Sequence, residues 1–179
     1  MEDIFGAVAL NIDKGDCVMN VSFVDGELLE SEALLKEFEE LIQWELPDDF
    51  RDFVKKYNGA QTEGCVCFKS ELFETVFDTM LNFNRTTQPK MSIWEFYDFI
   101  DEHYDWYKKQ KYDEKYGELS DYFVFAVTVF GDNVCFNKKN GAVYHFDHES
   151  CELGKIADSF SEFLNSLYVD DDDEDEDDE

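Results

Sequence analysis

Apolar positions in this chain recur at two spacings, every second residue or every third to fourth, and the switches between them predict its elements. The stretches from Phe5 to Ile12 and from Cys17 to Val24 are apolar and β-branched, and they flank Asp13-Lys14-Gly15-Asp16. That pattern predicts a β-hairpin, because the glycine supplies the positive φ of a tight turn. Ser31 offers a helix N-cap, and Leu34, Leu35, Phe38, Leu41 and Ile42 then keep helical spacing to about Trp44. Leu46-Pro47-Asp48-Asp49 restarts the chain as a second helix, with Pro at its first position and two carboxylates at the positive end of its dipole. Phe50, Phe53, Val54 and Tyr57 form its apolar stripe, and Asn58-Gly59 supplies the left-handed conformation of a C-terminal cap.

A short strand is expected around Cys65 to Phe68. Ser70 then reads as the cap of a third helix, with Leu72, Phe73, Val76, Phe77 and Met80 on one face and an end near Asn84. Ser92-Ile93-Trp94-Glu95 reads as a capping box, followed by Phe96, Phe99, Ile100, His103 and Tyr107 on an inner face. Residues 108–119 are polar and Tyr-rich and read as a helix end and a loop. Phe123 to Phe130 is almost wholly apolar and predicts a central strand covered on both faces. Gly131-Asp132 turns it into a strand at Asn133 to Asn137, and Lys138-Lys139-Asn140-Gly141 turns that into a third at Ala142 to Phe146. Lys155 to Tyr168 returns to helical spacing. The ten carboxylates from Asp170 to Glu179 have nothing to bury and predict a solvated, disordered tail.

Composition changes this picture in three ways. A length of 179 residues suits one domain, and 18 Phe and 9 Tyr point to a core built from large rings. The 44 acidic against 15 basic residues give a net charge of -29, most of it in the body before the tail. Such a surface repels nucleic acid and anionic membrane, and speeds encounter with a basic protein; the plainer reading is solubility alone. The five cysteines are an odd number in a chain too large to need disulfide staples, so they read as reduced thiols. With no basic n-region at the start and no long apolar window, a cytoplasmic location is expected.

The arrangement LPDDFRDFVKKYNG (Leu46 to Gly59), then GDNVCFNKKNGAVYHFDHES (Gly131 to Ser150), then IADSFSEFL (Ile156 to Leu164) resembles the SUKH superfamily. That superfamily includes fungal cell-wall assembly regulators and many bacterial immunity proteins. The resemblance spans roughly Glu30 to Tyr168 and rests on the order and spacing of these segments. It implies an α+β fold in a single domain, a mixed, mostly antiparallel sheet flanked by several helices. The SUKH-like domain would span 1–169, with an added N-terminal hairpin within 1–29, and the tail 170–179. It also implies no catalytic centre and no cofactor. The implied partner is a protein, in bacteria typically a secreted toxin and often a nuclease, whose basic site a carboxylate surface can occupy. A regulatory scaffold for endogenous signalling proteins is the alternative. Asp48, Asp49, Asp132, Asp147 and Glu149 fall at turns or helix starts in the resembling segments. With Trp44 they are the residues expected to meet the partner, though each acid also reads as a cap or a solvated charge.

Other chemistries find little support in spacing or charge. Cys65-x-Cys67 and His145-x-x-His148 are zinc-type side chains, but the usual knuckle has two or more residues between its cysteines, so a metal site is not expected. Cys151, His148 and Asp147 can be drawn as nucleophile, base and orienter. Neighbours so close in sequence rarely face one another, however, and nearby carboxylates raise a thiol's pKa. Acid pairs such as Glu39-Glu40 arise by chance in so acidic a chain. No glycine-rich phosphate loop occurs. Trp44, Trp94 and Trp106 lack interleaved cations and read as core or protein interface rather than as stacking platforms for bases.

Overall fold

The computed structural model describes residues 21–85, 91–96 and 113–170. In chain order the elements are β1 (Phe23–Val24), α1 (Glu32–Ile42), α2 (Asp48–Tyr57), β2 (Gln61–Thr62), β3 (Val66–Lys69), β4 (Glu74–Met80) and α3 (Ile93–Phe96). These are followed by α4 (Asp113–Tyr116), a 3-10 turn (Leu119–Asp121), β5 (Tyr122–Thr128), β6 (Asn133–Asn137), β7 (Val143–Asp147), β8 (Glu152–Ala157), α5 (Phe160–Ser166) and β9 (Tyr168–Val169). The sheet runs β1-β2-β4-β5-β6-β7-β8, with β3 branching from β4 and carrying β9 on its other edge. Every strand pairing among the described residues is antiparallel; a lone parallel bridge joins Asn82 to Ser92. The architecture is the expected α+β domain.

Helices α1, α2 and α5 cover one face of the sheet through a continuous set of rings. Phe50, fully buried on α2, meets Phe125 at 5.3 Å, Phe136 at 5.2 Å and Phe160 at 5.0 Å between ring centroids. Phe38 of α1 meets Phe83 at 5.3 Å, and Phe163 of α5 meets Phe125 at 5.8 Å. The edge-to-face angles of most of these pairs are those that the ring quadrupole favours.

Local chemistry explains the element ends. Ser31 caps α1 by accepting from the Ala33 amide, and Gln43 ends it at φ 52°. Pro47 stands just before α2 instead of inside it, so Asp48 and Asp49 fill the first turn. Asn58 does more than end α2. Its side-chain Nδ2 donates to Asn82 Oδ1 at 2.8 Å while its Oδ1 accepts from the Phe83 backbone amide at 2.7 Å, and both asparagines are buried. Gly59, at φ 68°, lies against Asn82, where a Cβ would come within 2.7 Å of its amide nitrogen. The Asn-Gly pair is thus a buried polar joint between α2 and the chain after β4.

Several expectations are corrected. Residues 74–80 form strand β4, not part of a helix over Ser70 to Asn84. Leu72, Phe73, Val76, Phe77 and Met80 do fit helical spacing, but Thr75, Val76, Phe77 and Thr79 are β-branched or aromatic, and pairing with both β3 and β5 decides the outcome. Ser70 closes a tight turn instead of capping a helix, donating to the Phe73 carbonyl at 3.0 Å. Glu152–Ala157 is a strand, so the closing helix begins only at Phe160, where Ser159 accepts from the Glu162 amide. The run from Phe123 leaves the sheet after Thr128, so Val129 and Phe130 are exposed. The tract 108–119, read as a helix end and a loop, holds a helical turn at Asp113–Tyr116. The hairpin up to residue 20, most of the helix after Phe96 and the tail after Asp170 lie outside the described residues.

Candidate functional site

The most concentrated polar chemistry lies at one end of the sheet, where three turns meet. The first, residues 70–73, joins β3 to β4; the second, 129–132, joins β5 to β6; the third, 148–151, joins β7 to β8. Gly131 adopts φ 90° and lets the second turn close, with the Gly131 amide donating to Thr128 O at 3.1 Å and the Asp132 amide to Thr128 Oγ1 at 3.0 Å.

Asp132 is the hub. It is 4% exposed, and its carboxylate accepts from His145 Nε2 at 3.0 Å, from His148 Nδ1 at 2.7 Å and from the His148 amide at 3.2 Å. Burial works against its charge, but the hydrogen bonds from His148 and His145 outweigh that and hold its carboxyl below the ordinary aspartate value. His145 is fully buried on the helix-covered face of β7, edge-on to Phe73 at 4.9 Å and to Phe68 at 5.6 Å. Its Nδ1 lies 3.1 Å from Ser70 Oγ.

Ser70, His145 and Asp132 therefore form a hydrogen-bonded line of the types used in acyl transfer. Sequence reasoning missed it, because Ser70 and His145 are 75 residues apart. The serine is committed elsewhere: its oxygen also accepts from the Leu72 and Phe73 amides at 3.1 and 3.3 Å. A hollow of about 330 Å³ lies instead over β8 and α5, lined by Glu71, Lys155, Asp158 and Glu162 among others, and none of the three residues lines it. The line is a structural tie, with one carboxylate binding the second and third turns and, through His145, the first.

The sequence-drawn constellation of Cys151, His148 and Asp147 does not assemble. Cys151 Sγ faces the His148 carbonyl at 3.8 Å rather than its ring, and burial, then Asp147, pushes the thiol up. Asp147 accepts from the Glu149 amide at 2.9 Å and from the Ser150 hydroxyl. Two groups of ligand-type atoms do converge among the described residues: Asp132, Asp147 and His148, and Cys67, Glu74 and Asp170. In the first, His148 Nδ1 and Asp132 Oδ1 lie 2.7 Å apart, at hydrogen-bond distance. In the second, burial and then Cys65 push the Cys67 thiol up to about 11.

The other residues expected to meet a partner are scattered. Asp49 accepts from the Ser161 amide at 2.9 Å and hydroxyl at 2.6 Å, so it fastens α2 to the start of α5. Trp44 packs on Phe123 at 5.3 Å and Phe136 at 5.8 Å at the rim of the core. Asp48 and Glu149 are exposed, and with Glu40, Glu63 and Glu162 they form no ion pair among the described residues. Capping and turn signals in the sequence mark Asp49 and Asp147, but only the fold tells which carboxylates are spent internally. No helix of the described residues is long and apolar enough to cross a membrane.

Comparison with known proteins agrees with this arrangement of segments. The sequence model of the SMI1 / KNR4 family (SUKH-1) matches residues 30–166. A curated relative, the SPbeta prophage-derived uncharacterized protein YokK of Bacillus subtilis (strain 168), is 28% identical over 143 residues, covering 74% of this chain and 72% of the relative.

Proposed function

This chain belongs to the SMI1 / KNR4 family (SUKH-1), and from that premise we propose that it is a non-catalytic immunity protein that binds and neutralises a cognate toxin with a basic, nuclease-type active domain in the cytoplasm. The observation that carries the reading is the net charge of -29, with exposed carboxylates such as Asp48 and Glu149 left without ion-pair partners among the described residues. A phosphate-binding site is basic by necessity, so a carboxylate surface can occupy it in place of substrate and steer the encounter. The prophage origin of a relative fits a gene carried for competition or defence. The Ser70–His145–Asp132 line contributes rigidity, and the acidic run from Asp170 onward adds to steering.

Co-expression tests the reading. Cells making the toxin domain of a secreted protein encoded beside this chain are expected to survive when the chain is present, and equally well with the Ser70→Ala or Cys151→Ala variant. Death despite soluble chain would refute immunity; loss of protection in a folded Ser70→Ala variant would refute the non-catalytic part.

A further inference from the structure

Val129 and Phe130 stand on the β5–β6 turn with 58% and 67% of their surface exposed, whereas the seven β5 residues before them are all buried. Tight turns favour Gly, Asn, Asp and Ser, and nothing in the geometry of this one calls for two large apolar side chains. Neither serves the core. Both are displayed on a fixed mount. The Val129 amide donates to the Val76 carbonyl of β4 at 3.1 Å, Thr128 and Asp132 close the turn with an amide-to-carbonyl bond of 2.9 Å, and the Asp132 carboxylate ties the turn to its neighbour. A ring already held in place loses little freedom on binding, the condition under which an aromatic side chain contributes most to an interface.

The surroundings define the partner. The third turn borders the tip, since a Cβ on Gly131 would lie 3.8 Å from His148 Cε1, and it carries exposed Glu149 and half-buried Asp147. On the other flank stands Phe73, 44% exposed against the His145 ring, and then Glu74, which is already paired with Lys69 at 2.9 Å. An apolar centre with a carboxylate rim matches a protein face whose apolar socket is ringed by Lys and Arg. A second copy would set two acidic rims against each other, and anionic lipid would be repelled.

We infer that Val129 and Phe130 are the anchor by which this chain docks into an apolar socket on a basic toxin domain, with Glu149 and Asp147 on the charged rim. The inference rests on the immunity reading and adds to it the interface. The test uses the intact chain and, as probe, an inactivated toxin domain from the secreted protein encoded beside it. Phe130→Ser is expected to raise Kd at least roughly 30-fold and to leave the melting temperature within about 2 °C, because an exposed side chain adds little to folding. Phe130→Leu should recover most of the affinity, and Leu28→Ser, at a residue 77% exposed elsewhere, should bind as the unaltered chain does. If the unaltered chain binds and Phe130→Ser binds equally well, the interface is wrong while the immunity reading stands. If the unaltered chain does not bind, both fail. If the variant only turns a dimer into a monomer in sedimentation at unchanged toxin affinity, the tip is a self-association surface and the inference is overturned.

Discussion

Replacing Phe50 with alanine is expected to lower folding stability by about 4 kcal/mol, within the range for deleting a buried ring. The ring is fully buried and makes centroid contacts with four others: Phe83 at 6.2 Å, Phe125, Phe136 and Phe160. These neighbours sit on β5, β6, α5 and the segment after β4, none of which can collapse into the cavity without leaving its own partners. In a domain of this size the loss corresponds to a fall of roughly 8–16 °C in melting temperature. Phe50→Leu, which keeps most of the volume, should lose less than half as much. Thermal and urea unfolding measure both, and an alanine variant within about 1 kcal/mol of the unaltered chain would mean that the ring cluster is not the core.

Asp132→Ala is expected to cost about 3 kcal/mol by a different route, because it leaves a fully buried imidazole without its acceptor and unties the turns at the end of the sheet. The same carboxylate makes stability depend on pH. Its folded pKa lies below the unfolded one, so its contribution is fully present above the ordinary aspartate value and is lost as pH falls through the lower folded value. The unaltered chain should therefore lose stability on acidification below about pH 4, and Asp132→Asn should lose less over that window while starting from a lower plateau. The titratable groups facing Asp132 are His145 and His148, so the comparison should also be made in His148→Ala, which keeps the buried bond to His145. Identical acid profiles for the Asn variant and the unaltered chain would show that Asp132 is not the hub.

The sequence revealed those parts of the fold in which local and tertiary preferences agree. Ser31 and the Leu-Phe stripe after it, Asp48 and Asp49 in the first turn of α2, and the Gly131 and Gly141 turns of the meander each act within a few residues, and all are found where expected. Residues 74–80 misled because their apolar positions satisfy two periods at once, and only the strand neighbours β2, β3 and β5 choose between them. The capping residue of α5 was legible, since Ser159 stands three residues before Glu162. It was hidden by apolar Ile156 and Ala157, which prolong the apparent helix backwards into β8. The site was less legible still. Asp132 read as an exposed turn acid because nothing local announces that His145 and His148 converge on it, and Phe130 read as the end of a strand because the apolar run does not stop where the pairing does. Exposure is decided by the whole sheet, and a turn's sequence carries it only faintly.

Electrostatic steering of this acidic domain toward a basic toxin domain is tested most directly by the association rate constant at several ionic strengths, using the inactivated toxin domain as partner. Steering by opposite charge predicts a fall of at least about tenfold in the association rate between roughly 0.02 and 0.5 M salt, with a much smaller change in dissociation. An association rate that stays flat across that range, with binding otherwise intact, would contradict it.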